Sequence, residues 1–417
     1  MVKRGMTLYN HLSCRSCGNK ELSLILSFGK TPLANSLLSV NQLDDPEEFY
    51  DLDLFFCPNC KLVQIAQTIP PEKLFLDYPF FSSCSVTTLK RASNLANRII
   101  NTQKLNKNSL VVDVGSNDGY LLQYYQFANI PVLGIEPARN IAHYAQEMRG
   151  IKTLCSFFNL QLALQLVKEG LRADVIHLHN VLAHVNDLNG FVEGIKIVLK
   201  ESGILVIEVP YVKDIFDLGQ FDTIYHEHLC YFSLSSLHNL LVKHGLQIIN
   251  MEHSMNQGGS ILVMARRIQS YSDQRTLQRE LLVEDEMGLN RIDYYARFSN
   301  RVENLRKFLH ERIYEIKNQN KQIVAYGASA KGSQLLNYCA ISKDIIDFVV
   351  DNIYYKQGKF MPGVHIPIYP TSKLVEVMPD YALILSWNVA EEIIHRENEF
   401  LDLGGHFIIP IPNFRIV

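Results

Sequence analysis

Short apolar runs alternate with amphipathic stretches over most of this chain. The pattern is sharpest in VVDVGSNDGYLLQYYQFANIPVLGIE, residues 111–136. An apolar run ends at Asp113, a glycine turn runs from Gly115 to Gly119, an amphipathic helix is expected from Tyr120, and a second apolar run stops on Glu136. Residues 86–103 predict a helix with Leu89, Ala92, Leu95, Ile99 and Ile100 on one face. Further along, the pattern predicts a helix over 139–149 and a strand over 151–155. DVIHLHNVL from Asp174 and GILVIEVP from Gly203 read as strands, and LQIINMEHS with GGSILVMARR as a closing antiparallel pair ending near Arg267. This is the element order of a seven-stranded, Rossmann-like α/β sheet.

One long bridging helix is expected over 284–317, with Ile292, Tyr295, Phe298, Val302, Leu305, Leu309 and Ile313 along one stripe. A second α/β unit follows in QIVAYGASAKGSQLLNY, DIIDFVVDN, YALILSW and HFIIPIP. The expected division is therefore 1–82, 83–270 and 271–417, and the fold class is α/β throughout the last two parts.

Composition narrows the class. A chain of 417 residues, 47% hydrophobic and 20% charged, is large enough for two or three domains with sizeable cores. A net charge of −3 without a long basic run speaks against a nucleic-acid partner. No stretch approaches roughly 20 apolar residues, and MVKRGMTLYNHL has no signal-like apolar region, so a soluble, cytoplasmic protein without a membrane partner is expected.

The residues at the glycine turn suggest the first ligand. Gly115-x-x-x-Gly119 carries Asn117 and Asp118 where the dinucleotide fingerprint needs glycine, and Asp118 would repel a pyrophosphate. An acidic residue ending the second strand, Glu136, can accept both hydroxyls of a ribose. The unit suits S-adenosylmethionine, with Asp113 and Asp118 near its cationic amino-acid end.

Two CxxC pairs, Cys14/Cys17 and Cys57/Cys60, have the spacing of a Cys₄ zinc ribbon, flanked by LSLILSFG and FYDLDLFFC. An iron–sulfur cluster or a redox pair uses similar spacing. Four thiolates would leave zinc no open position, which makes it structural. Cys84, Cys155, Cys230 and Cys339 are expected in the core as small apolar residues.

The third cluster is YHEHLCYF, with Tyr225, His226, Glu227 and His228 in a loop at the carboxyl edge of the sheet, joined by His179 and His184 from HNVLAHVND. Such groups can abstract a proton and steady an oxyanion. A metal site at His226–His228 lacks the i, i+4 helical spacing of metalloproteases. In the C-terminal unit, the Gly327-Ala-Ser-Ala-Lys-Gly332 turn before a helix suits an anion, with Lys331 as a point charge for a phosphate, or is a structural turn.

Taken in order, these motifs resemble the sugar C-methyltransferases, which add a methyl branch to nucleotide-linked deoxyhexoses. The resemblance covers nearly the whole chain through GKTPLANSLL, FFCPNCKLVQI, YPFFSSCS, VVDVGSNDGYLL, NVLAHVNDLNGF, EVPY, YHEHLCYFS, GASAKG, VDNIYYKQGKFMPGVHIPI, LSWN and GGHFIIPIP. It implies a zinc-ribbon domain, a central methyltransferase domain and a C-terminal α/β domain, with the nucleotide-sugar between them. The implied substrate is a dTDP-linked 4-keto-deoxysugar methylated at C3 through an enolate; an O- or N-methyltransferase of another small molecule is the alternative. His228 matches the base that takes the C3 proton, with Tyr225, Glu227 and His184 around it and Tyr78 of YPFFSS reaching the sugar. The donor is expected on Asp113, Gly115, Asn117, Asp118, Gly119, Glu136, Pro137, Phe158, His179 and Asn180, and the substrate also on Ser329, Lys331 and Lys356. One departure stands out: Gln257 precedes Gly258-Gly259-Ser260 where the family tends to carry histidine.

Overall fold

The computed structural model describes residues 12–255, 258–268 and 274–417, so Gln257 lies outside the described residues. Three sheets, of four, seven and six strands, organise the chain. The seven strands of the central sheet are β1 (Val111–Val114), β2 (Val132–Ile135), β3 (Thr153–Leu154), β4 (Ala173–His179), β5 (Leu199–Pro210), β6 (Leu246–Ser254) and β7 (Ser260–Arg267). Their order is β3-β2-β1-β4-β5-β7-β6. The first five are parallel, and β7 runs antiparallel between β5 and β6. All four residues of β1 are buried, which is why the strand reads as an unbroken apolar run rather than an alternating one.

The order reverses between β1 and β4, and the crevice beyond their carboxyl ends is where ligands settle in such sheets. The helix after β1 is Leu122–Phe127, two residues later than the periodicity suggests, because Gly119 at φ +75° is still completing the turn. Val86–Gln103 is helical as expected and buries Ala92, Ala96 and Ile99. They pack with Leu121, Leu122 and Tyr125 on one face of the sheet.

The ribbon pairs Ser23–Pro32 with Phe49–Phe56, and Phe49–Phe56 with Val63–Ile65. Its fourth strand comes from elsewhere: Cys230–Tyr231, inside YHEHLCYFS, pairs with Gln64 and Val63. Two residues are too few to leave an alternation signal. The boundary at residue 82 therefore divides the chain but not the sheets.

The expected helix over 284–317 is corrected to two, Arg275–Met287 and Ile292–Asn318. Gly288, at φ +89°, takes the left-handed conformation that ends the first helix. The stripe holds: Tyr295, Phe298, Val302, Leu309 and Ile313 are buried. Buried Glu284, in the last turn of the first helix, accepts hydrogen bonds from the Tyr211 hydroxyl and from the Leu234 and Ser235 amides, so the helix is keyed onto the central domain.

The C-terminal sheet runs Ile368–Tyr369, Val349–Val350, Ile323–Tyr326, Tyr381–Ile384, His406–Ile409 and Arg415–Ile416 in spatial order, parallel except for the last strand. One hydrophobic cluster extends through all three parts. Of the scattered cysteines, Cys230 and Cys339 are buried as expected, whereas Cys84 and Cys155 are exposed, a correction to the core reading. No helix among the described residues is long and apolar enough to cross a membrane.

Candidate active site

A cavity of about 1550 Å³ opens at the carboxyl edge of the central sheet, walled by the glycine turn, the YHEH loop, the Tyr78 segment and the GASAKG turn.

At the donor end, Gly115 has φ +70° and a Cβ there would lie 2.4 Å from Val181 Cγ2, so both conformation and space demand glycine. The Glu136 carboxylate accepts from the Asn117 amide at 2.9 Å through Oε2 and from the Ala138 amide at 2.9 Å through Oε1. Burial raises its pKa to about 7 despite those two donors. Pro137, Phe158, His179 and Asn180 line the same wall. The side chain of Asn117 accepts from the Ser82 amide and donates to the Phe80 carbonyl, drawing the YPFFSS segment over the pocket.

Asp113, Asp118 and Gly119 do not line the cavity. Asp118 turns to Arg149, 3.6 Å away, and Gly119 abuts Ile151, so both shape the turn from behind the cavity wall. Asp113 is buried behind the turn with both carboxylate oxygens lacking a hydrogen-bond partner, and burial raises its pKa to about 7. Gly115 and Glu136, both on the cavity wall, fit a donor carrying a ribose.

His179 is tied into a buried chain. Its Nδ1 lies 2.8 Å from Glu208 Oε2 and its Nε2 lies 3.1 Å from His177 Nδ1, while His177 Nε2 meets the Tyr125 hydroxyl at 2.8 Å. Arg91 also donates to Glu208, at 2.6 Å. Burial pushes Glu208 up, but His179 and Arg91 outweigh it and hold the carboxylate down at about 2. Neither ring nitrogen of His179 is left to reach a ligand; the ring serves as wall.

The YHEH loop supplies the reactive cluster. His228 Nδ1 lies 2.8 Å from the Thr223 carbonyl, which requires a proton on that nitrogen, and Nε2 lies 3.1 Å from the Tyr225 hydroxyl. Burial holds His228 well below the usual imidazole range, so it stays neutral with Nε2 as acceptor. His184, pushed down to about 4 by burial, packs its ring 4.9 Å from that of His228 and places Nδ1 2.8 Å from the Glu227 carbonyl. Glu227 accepts from Asn35 Nδ2 at 2.7 Å and, more loosely, from the Tyr78 hydroxyl at 3.4 Å; burial lifts it to about 7. The backbone of Tyr78 is itself held by Asn140. His226 departs from the cluster: its Nε2 lies 3.2 Å from the Asp51 carbonyl, on the ribbon side.

On the C-terminal wall, Ser329 caps the helix Ala330–Tyr338 by accepting from the Gly332 amide. Lys356 is buried and donates to the Ala328 carbonyl and to Asp351 at 2.8 and 3.2 Å. Lys331 extends over the Trp387 ring, 4.9 Å from its centre. All three line the cavity.

The ribbon cysteines gather apart from this cavity. Their four sulfurs lie within 4.8 Å of one another, with Cys14 and Cys60 at 3.3 Å and Cys17 and Cys57 at 3.6 Å. Zinc–sulfur bonds of about 2.3 Å give a tetrahedron with edges of about 3.8 Å, so the set fits structural zinc. Among the described residues it is the only such group of three or more metal-ligating side chains.

Asn35, Arg91 and Glu208 on the cavity wall, and behind it Asn140, which holds Tyr78, and Trp387, which donates to Asp222, were not singled out by spacing. Asn35 stands in GKTPLANSLL, Glu208 in EVPY and Trp387 in LSWN, so the quoted motifs carried three of them.

Three family models cover the chain in succession: a zinc-binding domain at residues 14–75, a methyltransferase domain at 89–250 and a C-methyltransferase C-terminal domain at 255–412. The C-methyltransferase NovU of Streptomyces niveus is 34% identical over 405 residues, 97% of this chain and 96% of that one. Distant likenesses include a magnesium protoporphyrin IX methyltransferase from Synechocystis PCC 6803 with bound SAM, at 14% identity over 43% of this chain and 79% of that one, TM-score 0.33. A protein from Pyrococcus horikoshii OT3 matches at 13% identity over 48% of this chain and 100% of its own, TM-score 0.37.

Proposed function

We propose that this chain, which belongs to the C-methyltransferase family, methylates C3 of a nucleotide-linked 4-keto-deoxyhexose through an enolate, with S-adenosylmethionine as donor. The observation that carries the reading is the pairing of His228 Nε2 with the Tyr225 hydroxyl on the wall shared with the donor turn. Carbon attacks a methyl group only as a carbanion equivalent, so the site needs a base beside an acidified C–H and a group to meet the oxyanion. A neutral imidazole held by Thr223 supplies the base, and Tyr225 can hand its hydroxyl proton bond from Nε2 to the forming oxygen. Glu227, fixed by Asn35 and Tyr78, together with His184, orients the sugar. When bound, the donor supplies an electrophilic methyl group. The nucleotide, dTDP by resemblance, then lies toward the C-terminal wall.

The test is proton exchange. In deuterated solvent without donor, the protein should wash out the C3 proton of a dTDP-4-keto-deoxyhexose, and adding S-adenosylmethionine should raise the product mass by one methyl group. Methylation without any exchange would support an O- or N-methyltransferase, which needs no carbon acid, and sink the enolate.

A further inference from the structure

The GASAKG turn has the sequence of an anion site, yet Lys331 occupies the chamber of the catalytic loop. Ala330, the first residue of its helix, packs against Tyr225 and Ala34. The Lys331 ammonium sits over Trp387, and Trp387 Nε1 donates to Asp222 Oδ2 at 2.6 Å. Asp222 is fully buried, with Oδ1 lacking a hydrogen-bond partner. The next residue, Thr223, lends its carbonyl to His228. The charge on Lys331 is felt by both neighbours: it opposes the burial that raises Asp222, and it adds to the burial that keeps His228 unprotonated.

The other cations of the cavity wall pair with carboxylates outside the Asp222–His228 segment. Arg91 pairs with Glu208, Arg98 with Glu252, Lys356 with Asp351 and Arg396 with Glu397. For Lys331 the facing carboxylate is Asp222, three residues before Tyr225.

We propose that Lys331 is a catalytic residue of the carbon-acid step, its ammonium facing the carbonyl oxygen that becomes the enolate oxygen. This rests on the enolate reading above. The C3–H bond breaks and its proton passes to His228 Nε2. The bonding pair forms the C3–C4 double bond, and the carbonyl π pair moves onto O4, where the ammonium meets the new charge. A ketone oxygen carries only partial charge, so the contact strengthens as the reaction proceeds, which is the condition for lowering a barrier rather than only binding substrate. Asp222 and Trp387 act as positioning residues for the ammonium, one through its charge and the other through its ring.

Two measurements on Lys331→Met separate this role from a diphosphate clamp: donor-free exchange of the C3 proton at saturating nucleotide-sugar, and calorimetric affinity for free dTDP. The expected result is an exchange rate lower by about 10²–10³, the usual cost of removing one oxyanion partner, with dTDP affinity within a few-fold of wild type. Lys331→Arg should recover part of the rate, and Lys331→Gln gives the same reading if the methionine variant fails to fold. Undiminished exchange beside weakened dTDP binding would overturn the proposal in favour of a clamp. A wild-type protein that exchanges nothing would overturn the enolate reading and this proposal together, whereas exchange at comparable rates in wild type and Lys331→Met would overturn the proposal alone.

Discussion

The Tyr225 hydroxyl lies 3.1 Å from His228 Nε2, the one nitrogen of that ring left as an acceptor once Nδ1 has donated to Thr223. Tyrosine is thus the donor and histidine the acceptor, a polarity set by a backbone carbonyl rather than by a carboxylate.

That polarity is the one the proposed role of His228 as base needs. His228→Asn should bind donor and nucleotide-sugar but lose methyl transfer and donor-free C3 exchange together, by about 10²–10⁴. Tyr225→Phe should be milder, and His184→Asn intermediate. If exchange survives in His228→Asn within a few-fold of wild type while KM rises, the histidine positions substrate and another group, with Tyr78 the nearest candidate, takes the proton.

Glu136 holds both the turn and, by our reading, the donor ribose. Glu136→Ala should weaken S-adenosylhomocysteine binding by roughly 2–4 kcal/mol, since a charged acceptor and its two amide partners are lost together. Calorimetry showing unchanged affinity would remove Glu136 from the donor site.

Burial sets the sign of a pH effect at Glu227. Its pKa rises from 4.5 unfolded to about 7 folded, so the folded state holds the proton more tightly and wild type loses stability as pH rises through that window. Glu227→Gln cannot ionise. Its stability relative to wild type should therefore improve between pH 5 and pH 8, by up to about 3 kcal/mol for a shift of this size. Denaturant unfolding of both proteins across that range checks it; a pH-independent difference would mean that Glu227 is not raised in the folded state.

Gly115→Ala should be destabilising on two counts, the left-handed φ and the clash with Val181. The conformational part is about 1–2 kcal/mol. Adding Val181→Ala should relieve only the steric part, so thermal unfolding of the double variant should fall between Gly115→Ala and the single Val181→Ala protein.

Cys57→Ser should leave the ribbon unable to hold zinc and give loss of that sheet or aggregation rather than a folded, slow enzyme. Metal analysis of the wild type should return one zinc per chain. A metal-free protein with full activity would overturn the assignment.

The parallel strands were legible because burial on both faces writes them as apolar runs, and the cysteine knuckles because two pairs must converge on one centre. What stayed hidden was relational. Nothing in Asp118 says that Arg149 will turn it from the cavity. His226 and His228 look equivalent in YHEH, yet one faces Asp51 on the ribbon and the other faces the cavity. Trp387 and Asp222 lie 2.6 Å apart in space but far apart in the chain, beyond the reach of any spacing rule.

The short strand Cys230–Tyr231 binds the history of two domains together. Because it is laid into the ribbon sheet beside Val63 and Gln64, the loop that carries Tyr225 and His228 is woven into a fabric whose other threads precede residue 83. A gene rearrangement that exchanged the ribbon for a foreign module would leave the methyl-donor sheet whole and the loop without its loom. Because the two segments pair directly, substitutions on Val63–Ile65 should co-vary with those around Leu229–Tyr231 when related chains are aligned.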